Sequence, residues 1–212
     1  VELLHRTVPE AKVLLLSNIH EPMAGGRPLA EREGIVFIGG FQHPPNVDAV
    51  LWYAREVLPV VRQRLPGVKT YIVGSKVPST IRALAAPDLV VTGYVPDVAP
   101  FFTGCRLSIA PLRYGAGVKG KVNLAMSYGM PVVATPAAVE GMHLVPGQGA
   151  MVAGDAGQFA DAIERVYRDD ALWQRLSAAG VENIRRHFSR AVAKQALRDL
   201  FDMAKATAAG DG

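Results

Sequence analysis

The chain has 212 residues, of which half are apolar and 20% are charged, and its formal charge is +4. This composition predicts a soluble, globular protein of one domain, or one domain plus part of another, that buries roughly 70% of its unfolded surface. The single cysteine, Cys105, excludes an internal disulfide framework and a multi-cysteine metal site, and it favours a reducing, cytoplasmic environment.

Membrane and nucleic-acid functions are not indicated. Apolar runs such as Val13–Leu16 have the length of strands, so no transmembrane segment is predicted. Lysine and arginine alternate with acids along the chain, so no nucleic-acid partner is expected. No signal peptide is visible, but the chain starts at Val1, and we expect it to be a fragment of a longer protein.

The first 34 residues differ from the rest of the chain. Lys12–Leu16 is a predicted strand, and the Gly/Pro-rich, charged stretch Glu21–Gly34 is typical of a linker. We therefore place a domain boundary after residue 34. The alternative is an N-terminal arm that pairs with the edge of the main sheet.

From residue 35 onward, short apolar runs alternate with amphipathic segments of helical length. This alternation predicts an α/β fold with a doubly wound, mostly parallel sheet, because continuous apolar runs are typical of buried parallel strands. The predicted strands are Ile35–Gly39, Thr70–Gly74, Leu89–Thr92, Leu107–Ala110, Pro131–Ala134 and Ala150–Val152.

Helices are predicted between and after these strands. An apolar stripe runs from Val47 to Leu65, and Pro59 should kink or divide that helix. Three further helices, at about Ala156–Arg168, Asp170–Arg186 and Ser189–Ala208, are expected to close the domain at its C-terminal end.

Ligands of open parallel sheets bind at the carboxyl ends of the strands, and the first loop of interest follows the first strand. Gly39 and Gly40 allow close backbone approach there, His43 is a hydrogen-bonding group, and Asn46 is the expected cap of the next helix. Together they predict an anion site. The alternative is that the glycines only turn the chain.

The second loop of interest runs from Arg113 to Lys121. Lys119 and Lys121 fall in or near the first turn of a helix, where the helix dipole disfavours cations by roughly 0.3–1 kcal/mol each. An anionic ligand reverses that sign, and a diphosphate suits two ammonium groups beside glycine-exposed amides. The alternative is two solvated lysines.

The same loop matches two known patterns. Gly115-x-Gly117-x-x-Gly120 satisfies the dinucleotide fingerprint, and Gly115 through Lys121 match a P-loop. At least three strands precede the loop, however, and Val122 stands where a P-loop has Ser or Thr. An NAD(P)-dependent oxidoreductase and a P-loop NTPase remain as less favoured alternatives.

Other polar candidates follow other strands. Gly93, Tyr94 and Val95 are placed to offer backbone edges to a base, and Glu140 to accept hydrogen bonds from sugar or ribose hydroxyls. His143 is a lone loop histidine. No cluster of His, Asp and Glu has the spacing of metal ligands, so no metal site is predicted.

An ordered series of short motifs carries a family resemblance. They are Gly39-Gly40 followed by Pro45–Ala49, then Ile72–Ser75, Thr92–Asp97, Ala110–Leu112 and Gly129–Thr135. The series resembles the C-terminal, donor-binding domain of family-four glycosyltransferases, over about residues 35 to 205. It implies the Rossmann-like half of a GT-B fold. Residues 9 to 18 resemble the last strand of that family's N-terminal domain.

The resemblance implies a bacterial-type enzyme of polysaccharide or glycolipid synthesis that transfers a sugar, with retention, from a nucleoside-diphosphate sugar to an acceptor hydroxyl. The nucleotide of the donor is expected to be UDP or GDP, and neither a bound cofactor nor a metal is expected. A sugar or glycolipid acceptor would bind through the N-terminal domain, and association of the full-length protein with a membrane surface stays open. The donor-binding residues implied are Gly39, Gly40, His43, Asn46, Gly93, Tyr94, Val95, Tyr114, Gly115, Ala116, Gly117, Val118, Lys119, Lys121 and Glu140.

Two departures from the family pattern bear on activity. The family commonly has two glutamates eight positions apart, and here those positions hold Ala116 and Leu124. An Arg and Lys pair after the first strand is replaced by a loop that contains His43 and Asn46. These departures favour the alternative of a non-catalytic nucleotide-binding or regulatory module. No catalytic residue is assigned, and we expect this chain alone to bind donor but to transfer little or nothing.

Overall fold

The computed structural model describes residues 2–9, 13–23, 25–144 and 147–210. Its centre is a six-stranded sheet with the order β3-β2-β1-β4-β5-β6, in which all neighbours are parallel. The strands are β1 (Ile35–Ile38), β2 (Thr70–Val73), β3 (Leu89–Gly93), β4 (Leu107–Ala110), β5 (Val132–Ala134) and β6 (Ala150–Val152). The predicted doubly wound fold is confirmed.

The strand predictions are correct to within one residue, and the central strands β1, β4 and β5 are buried on both faces. Ile35, which opens β1, pairs with Thr70 on one side and Leu107 on the other, and it is fully buried. The whole of β5 is buried as well. Two-sided burial explains why these segments lack polar alternation.

Helices cover the faces of the sheet. In chain order they are α1 (Glu2–Thr7), α2 (Pro44–Trp52), α3 (Leu58–Arg64), α4 (Ser79–Arg82), α5 (Ala99–Gly104), α6 (Gly120–Ser127), α7 (Pro136–Val139), α8 (Ala156–Arg168), α9 (Asp170–His187) and α10 (Arg190–Gly210).

The division of the helix at Pro59 is confirmed. A π-helical turn, Tyr53–Val57, separates α2 from α3, and the amide of Leu58 bonds to the carbonyl of Tyr53. The wide turn fits Pro59, which has no N–H and crowds the carbonyl four residues earlier.

The three C-terminal helices begin as the polar start signals indicate. The carboxylate of Asp155 accepts a hydrogen bond from the Gln158 amide (2.8 Å), and that of Asp169 accepts one from the Leu172 amide (2.9 Å). Each bond satisfies a helix amide that has no intrahelical acceptor.

The strand predicted at Lys12–Leu16 is wrong for its described part. Val13–Leu16 belong to no strand, and Lys12 lies outside the described residues. The side chains of Leu15 and Leu16 are 66% and 51% exposed, so this apolar run has neither a core nor a neighbouring strand to pair with. The alternative of an arm on the sheet edge is also wrong for the described residues, since all six strands lie at residue 35 or later.

The stretch predicted as a linker, Glu21–Gly34, is hydrogen-bonded to the domain. The amides of Met23 and Glu33 donate to the carbonyls of Ser127 (2.7 Å) and Gly104 (2.9 Å). Arg32 is buried against the Trp173 ring and donates to the carbonyls of Phe102 and Cys105. The domain boundary after residue 34 remains a prediction. No helix in the described ranges is long and apolar enough to cross a membrane.

Candidate functional site

A cavity of about 430 Å³ opens at the carboxyl ends of β1 and β4. From β1 the chain winds to β2 and β3 on one side, and then crosses to β4, β5 and β6 on the other. The two loops that diverge at this reversal leave a crevice, which is where open α/β sheets bind ligands. The volume lies within the range of small-molecule sites.

The cavity brings together residues of both predicted loops. Of the predicted site residues, those that line it are His43, Asn46, Tyr114, Gly115, Ala116, Val118, Lys119 and Lys121. Pro45, Leu112 and Gly120 line it too, although the sequence did not single them out for the site. None of these lining residues is acidic.

Lys121, the second residue of α6, is the most unusual group in the cavity. Its side chain is half-buried, and its Nζ donates to Asn46 Oδ1 and lies 4.3 Å from the centroid of the Phe37 ring. Among the described residues no carboxylate forms an ion pair with it. Burial, and secondarily the charge of Lys119, lowers the pKa of Lys121 to about 7. A dehydrated cation without a counter-charge favours an incoming anion.

Asn46 joins the two loops. Its Nδ2 donates to the carbonyl of Gly40 (2.7 Å) while its Oδ1 accepts from Lys121. The contact also explains Gly39, because a Cβ there would lie 2.7 Å from the Lys121 Nζ and 2.9 Å from the Asn46 Nδ2. A side chain at position 39 would therefore displace the Lys121 ammonium and the Asn46 amide.

Lys119 faces a different way from Lys121. It is the N-cap residue of α6, and its Nζ donates to the carbonyls of Gly115 (3.1 Å) and Gly117. Both glycines have positive φ, at 127° and 75°. The Lys119 ammonium thus stabilises the turn that leads into α6 through these two hydrogen bonds.

The N-terminus of α6 adds hydrogen-bond donors to the cavity. It has no acidic residue in its first turn and no side-chain cap, and the first amides of any α-helix lack intrahelical acceptors. Arg113 lies nearby, but its guanidinium is paired with Asp48 (Nε to Oδ2 2.9 Å). Lys119, Lys121 and the α6 amides therefore supply the positive potential.

Other predicted residues lie around the cavity rather than on it. Gly93, with φ 77°, ends β3, two strands away from β1, and Tyr94 beyond it is 74% exposed. Val95 follows them on the same edge. Glu140 is exposed, and the next residue, Gly141, lies against Val118. Gly39 and Gly40 are not among the lining residues, but they contact Asn46 and Lys121, which line the cavity.

The chemistry of this site suits a diphosphate better than the other patterns. Four strands precede the glycine loop, unlike the first-strand position of a dinucleotide fingerprint, and Val122 supplies no hydroxyl for a P-loop metal. In the part of the chain that the structure describes, no three His, Cys, Asp or Glu residues are grouped to hold a metal.

Comparison with known proteins assigns the chain to a family. The family model for glycosyl transferases group 1 matches residues 32–169, which include all six strands and both loops. The chain belongs to the group 1 glycosyl transferases.

Two curated proteins are similar in sequence to this group 1 chain. It is 30% identical over 177 residues to a phosphatidyl-myo-inositol mannosyltransferase of Mycobacterium leprae, covering 77% of this chain and 45% of the relative. It is 29% identical over 138 residues to an uncharacterized 44.6 kDa protein in the cps region of Klebsiella pneumoniae, covering 61% of this chain and 36% of the relative. The chain thus spans less than half the length of either.

The fold matches solved GT-B glycosyltransferases. A TarM variant of S. aureus, solved in complex with fondaparinux, alpha-GlcNAc-glycerol and UDP, superposes with a TM-score of 0.77 at 16% identity. The match covers 92% of this chain and 41% of TarM. The six-stranded sheet is therefore the Rossmann-like domain of that fold.

Proposed function

We propose that this chain is the donor-binding part of a retaining glycosyltransferase that moves a sugar from a nucleoside-diphosphate sugar to an acceptor hydroxyl. The observation that carries the proposal is the half-buried Lys121 ammonium, which lacks an acidic partner among the described residues and faces a cavity beside the free amides of α6.

The reaction places its new negative charge where these groups lie. When the bond between sugar and diphosphate breaks, charge accumulates on the diphosphate oxygen that leaves. Lys121 and the helix amides are fixed donors that stabilise this charge without rearranging, and the Phe37 ring and Asn46 hold the lysine in place.

Other roles follow from position. We assign Gly39, Gly40 and His43 to the diphosphate side, and Tyr114, Gly115, Ala116, Gly117, Val118 and Lys119 to the donor sugar and phosphates. Glu140 accepts hydrogen bonds from ribose or sugar hydroxyls, and Gly93, Tyr94 and Val95 face the base. The UDP complex of TarM supports a nucleotide ligand of this class.

Most of the acceptor site belongs to the rest of a longer protein in this proposal. Residues 1–34 are the end of an N-terminal domain plus the connection to this one, as the greater length of both curated relatives supports. This chain by itself then binds donor without appreciable transfer.

A non-catalytic nucleotide-binding module is the second candidate. It is favoured by Ala116, which lines the cavity without a carboxylate, and by Leu124, which is apolar at the other family glutamate position. The two candidates share the nucleotide site and differ in whether the longer protein transfers or hydrolyses a nucleotide sugar.

A thermal-shift titration tests the shared site. We expect UDP or GDP, or one of their sugars, to raise the melting temperature without added metal, whereas NAD and ATP with magnesium do not. Lys121→Ala should abolish the shift. Lys194→Ala, which removes an exposed lysine on α10, is the matched control and should preserve it.

Two results would overturn the proposal. The first is no shift with any nucleoside diphosphate, and the second is a shift with NAD alone, which would support the oxidoreductase alternative. To separate the two candidates, release of UDP or GDP from its sugar is measured with the longer protein. Sustained release supports the enzyme, and its absence with every donor that binds supports the module.

A further inference from the structure

A second, smaller cavity of about 170 Å³ lies between residues 15–19 and the junction of α9 with α10. Three basic side chains line it, those of His143, Arg186 and His187, together with polar Ser17, Asn18 and Ser189. None of its lining residues is acidic. The cavity has room for an ion of phosphate size, and these polar side chains supply hydrogen-bond donors within a lining that is otherwise apolar.

The two histidines are stacked face to face. Their ring centroids are 4.5 Å apart, and the planes are inclined by 12°. His143 adopts φ 55°, a left-handed conformation that costs energy in a residue other than glycine. Burial, then the charges of His143 and Arg186, lower the pKa of His187. An anion beside the stacked rings would favour the charged form of His187.

The neighbouring acids offset only part of the positive charge. Arg186 donates its Nε to Glu182, but Arg185 also lies 3.9 Å from Glu182, so one carboxylate serves two guanidinium groups. The carboxylate of Glu21 accepts from the amide of Arg190 at the start of α10. The lining of the cavity therefore retains positive potential.

This second cavity adjoins the first. Asn18 lines it, and the Asn18 Nδ2 lies 3.8 Å from the place of a Cβ on Gly120, which lines the donor cavity. On the other side, Gly141 packs against Val118, and His143 follows two residues later. A molecule held at the histidine pair is thus next to the N-terminus of α6.

We propose that the cavity at His143, Arg186 and His187 binds an oxyanion, a phosphate or a carboxylate, carried by the acceptor. The inference rests on the proposed function, which places the donor in the adjoining cavity. It specifies the acceptor as an acidic one, held by its anionic group so that a hydroxyl reaches the donor sugar at α6.

The test uses the imidazole C2–H proton signals, assigned with His143→Gln and His187→Gln. Inorganic phosphate is titrated at constant pH against sodium chloride of equal ionic strength, with the donor cavity saturated by UDP or GDP. We expect a saturable shift of both signals and an upward movement of the His187 titration midpoint, because a bound anion favours the charged imidazole.

Two neighbouring arginines give a matched pair of variants. Arg186 lines the cavity and Arg185 does not, although both approach Glu182. Arg186→Ala should weaken phosphate binding by about tenfold or more, as expected for a lost charge-assisted hydrogen bond, while Arg185→Ala leaves it unchanged. Equal effects of the two variants would overturn the proposal.

Further outcomes separate this site from the donor site. Loss of the phosphate-induced shift when nucleotide is added would mean that phosphate occupied the donor cavity, which contradicts the inference. Failure of the nucleotide thermal shift with a persistent phosphate site would overturn the proposed function instead.

Glucose 6-phosphate and glucuronate, compared with glucose, then name the anionic group. Binding of either one, but not of glucose, supports an acidic acceptor. Equal binding of all three contradicts it.

Discussion

Lys119 and Lys121 are two residues apart but have different surroundings. The Lys119 ammonium is bonded to carbonyls of its own loop, whereas that of Lys121 is half-buried between Asn46 and Phe37. Neither ammonium has an acidic partner among the described residues, but that of Lys119 is satisfied by two carbonyls while that of Lys121 is partly desolvated, so we expect the two lysines to differ in their effects on binding.

The first prediction concerns pH. Since the pKa of Lys121 is about 7 and a bound diphosphate raises it, binding above pH 7 takes up a proton. Nucleotide affinity should therefore fall as pH rises from 7 to 9, by up to about tenfold per unit. Calorimetry at several pH values measures this, and Lys121→Arg, which stays charged, should flatten the profile.

The same group affects the stability of the ligand-free chain with the opposite sign. The folded-state pKa lies below the unfolded value, so the unfolded chain binds more protons between about pH 7 and 10. The free energy of unfolding contributed by Lys121 should rise over that range. Urea titrations of the wild type and Lys121→Met measure it, and equal slopes for both would contradict the account.

Asn46 gives a second prediction. Asn46→Ala removes the link between Gly40 and Lys121 and should weaken nucleotide binding by about tenfold, the cost of losing one charge-assisted contact. Asn46→Asp should weaken it further, because its carboxylate neutralises Lys121 and repels the diphosphate. An Asp variant that binds as well as the Ala variant would show that Lys121 does not meet the anion.

At the scale of elements, most of the fold could be predicted from the sequence because the information is local. Buried parallel strands need continuous apolar runs, and Pro59 imposes a change of helical pitch wherever the chain folds. Val13–Leu16 has the same apolar composition as a strand, but it finds no pairing partner among the described residues. A tertiary condition of that kind is invisible in composition.

The site could be predicted only in part for the same reason. The two loops follow from the rule that ligands bind at strand ends, and the structure brings both to one cavity. The contact of Lys121 with Asn46 joins residues 75 apart in sequence, and that with Phe37 joins β1 to α6. Neither has a local signal, so the sequence did not distinguish Lys121 from Lys119.

A prediction at this scale concerns Gly39 and Gly74, which follow the neighbouring strands β1 and β2 and lie very close together. A Cβ on Gly74 would lie 1.9 Å from the carbonyl oxygen of Gly39, so Gly74→Ala must displace the backbone after β1. We expect a loss of about 1–3 kcal/mol in stability and weaker nucleotide binding. Gly154→Ala is the control, because nothing lies within 4 Å of its Cβ position. Equal melting temperatures for the two variants would contradict the geometry.

At the scale of the whole molecule, Arg32 holds the N-terminal segment to the domain through residues that do not line the donor cavity. Arg32 donates to three carbonyls and stacks on Trp173. Arg32→Ala should cost about 3 kcal/mol and speed hydrogen exchange at the amides of Arg27 and Glu33. Nucleotide affinity at a temperature where the variant is folded should not change, and Arg55→Ala is an exposed control.

In the proposed complex, a nucleoside diphosphate binds with its phosphates at Lys121 and the start of α6. A crystal structure of the chain with the nucleotide that gives the largest thermal shift tests this directly. We expect that structure to show diphosphate oxygens within hydrogen-bonding distance of the Lys121 Nζ and the first amides of α6. A nucleotide bound with its phosphates elsewhere, for example near Tyr71 and Tyr167 at the amino ends of the strands, would contradict this proposal.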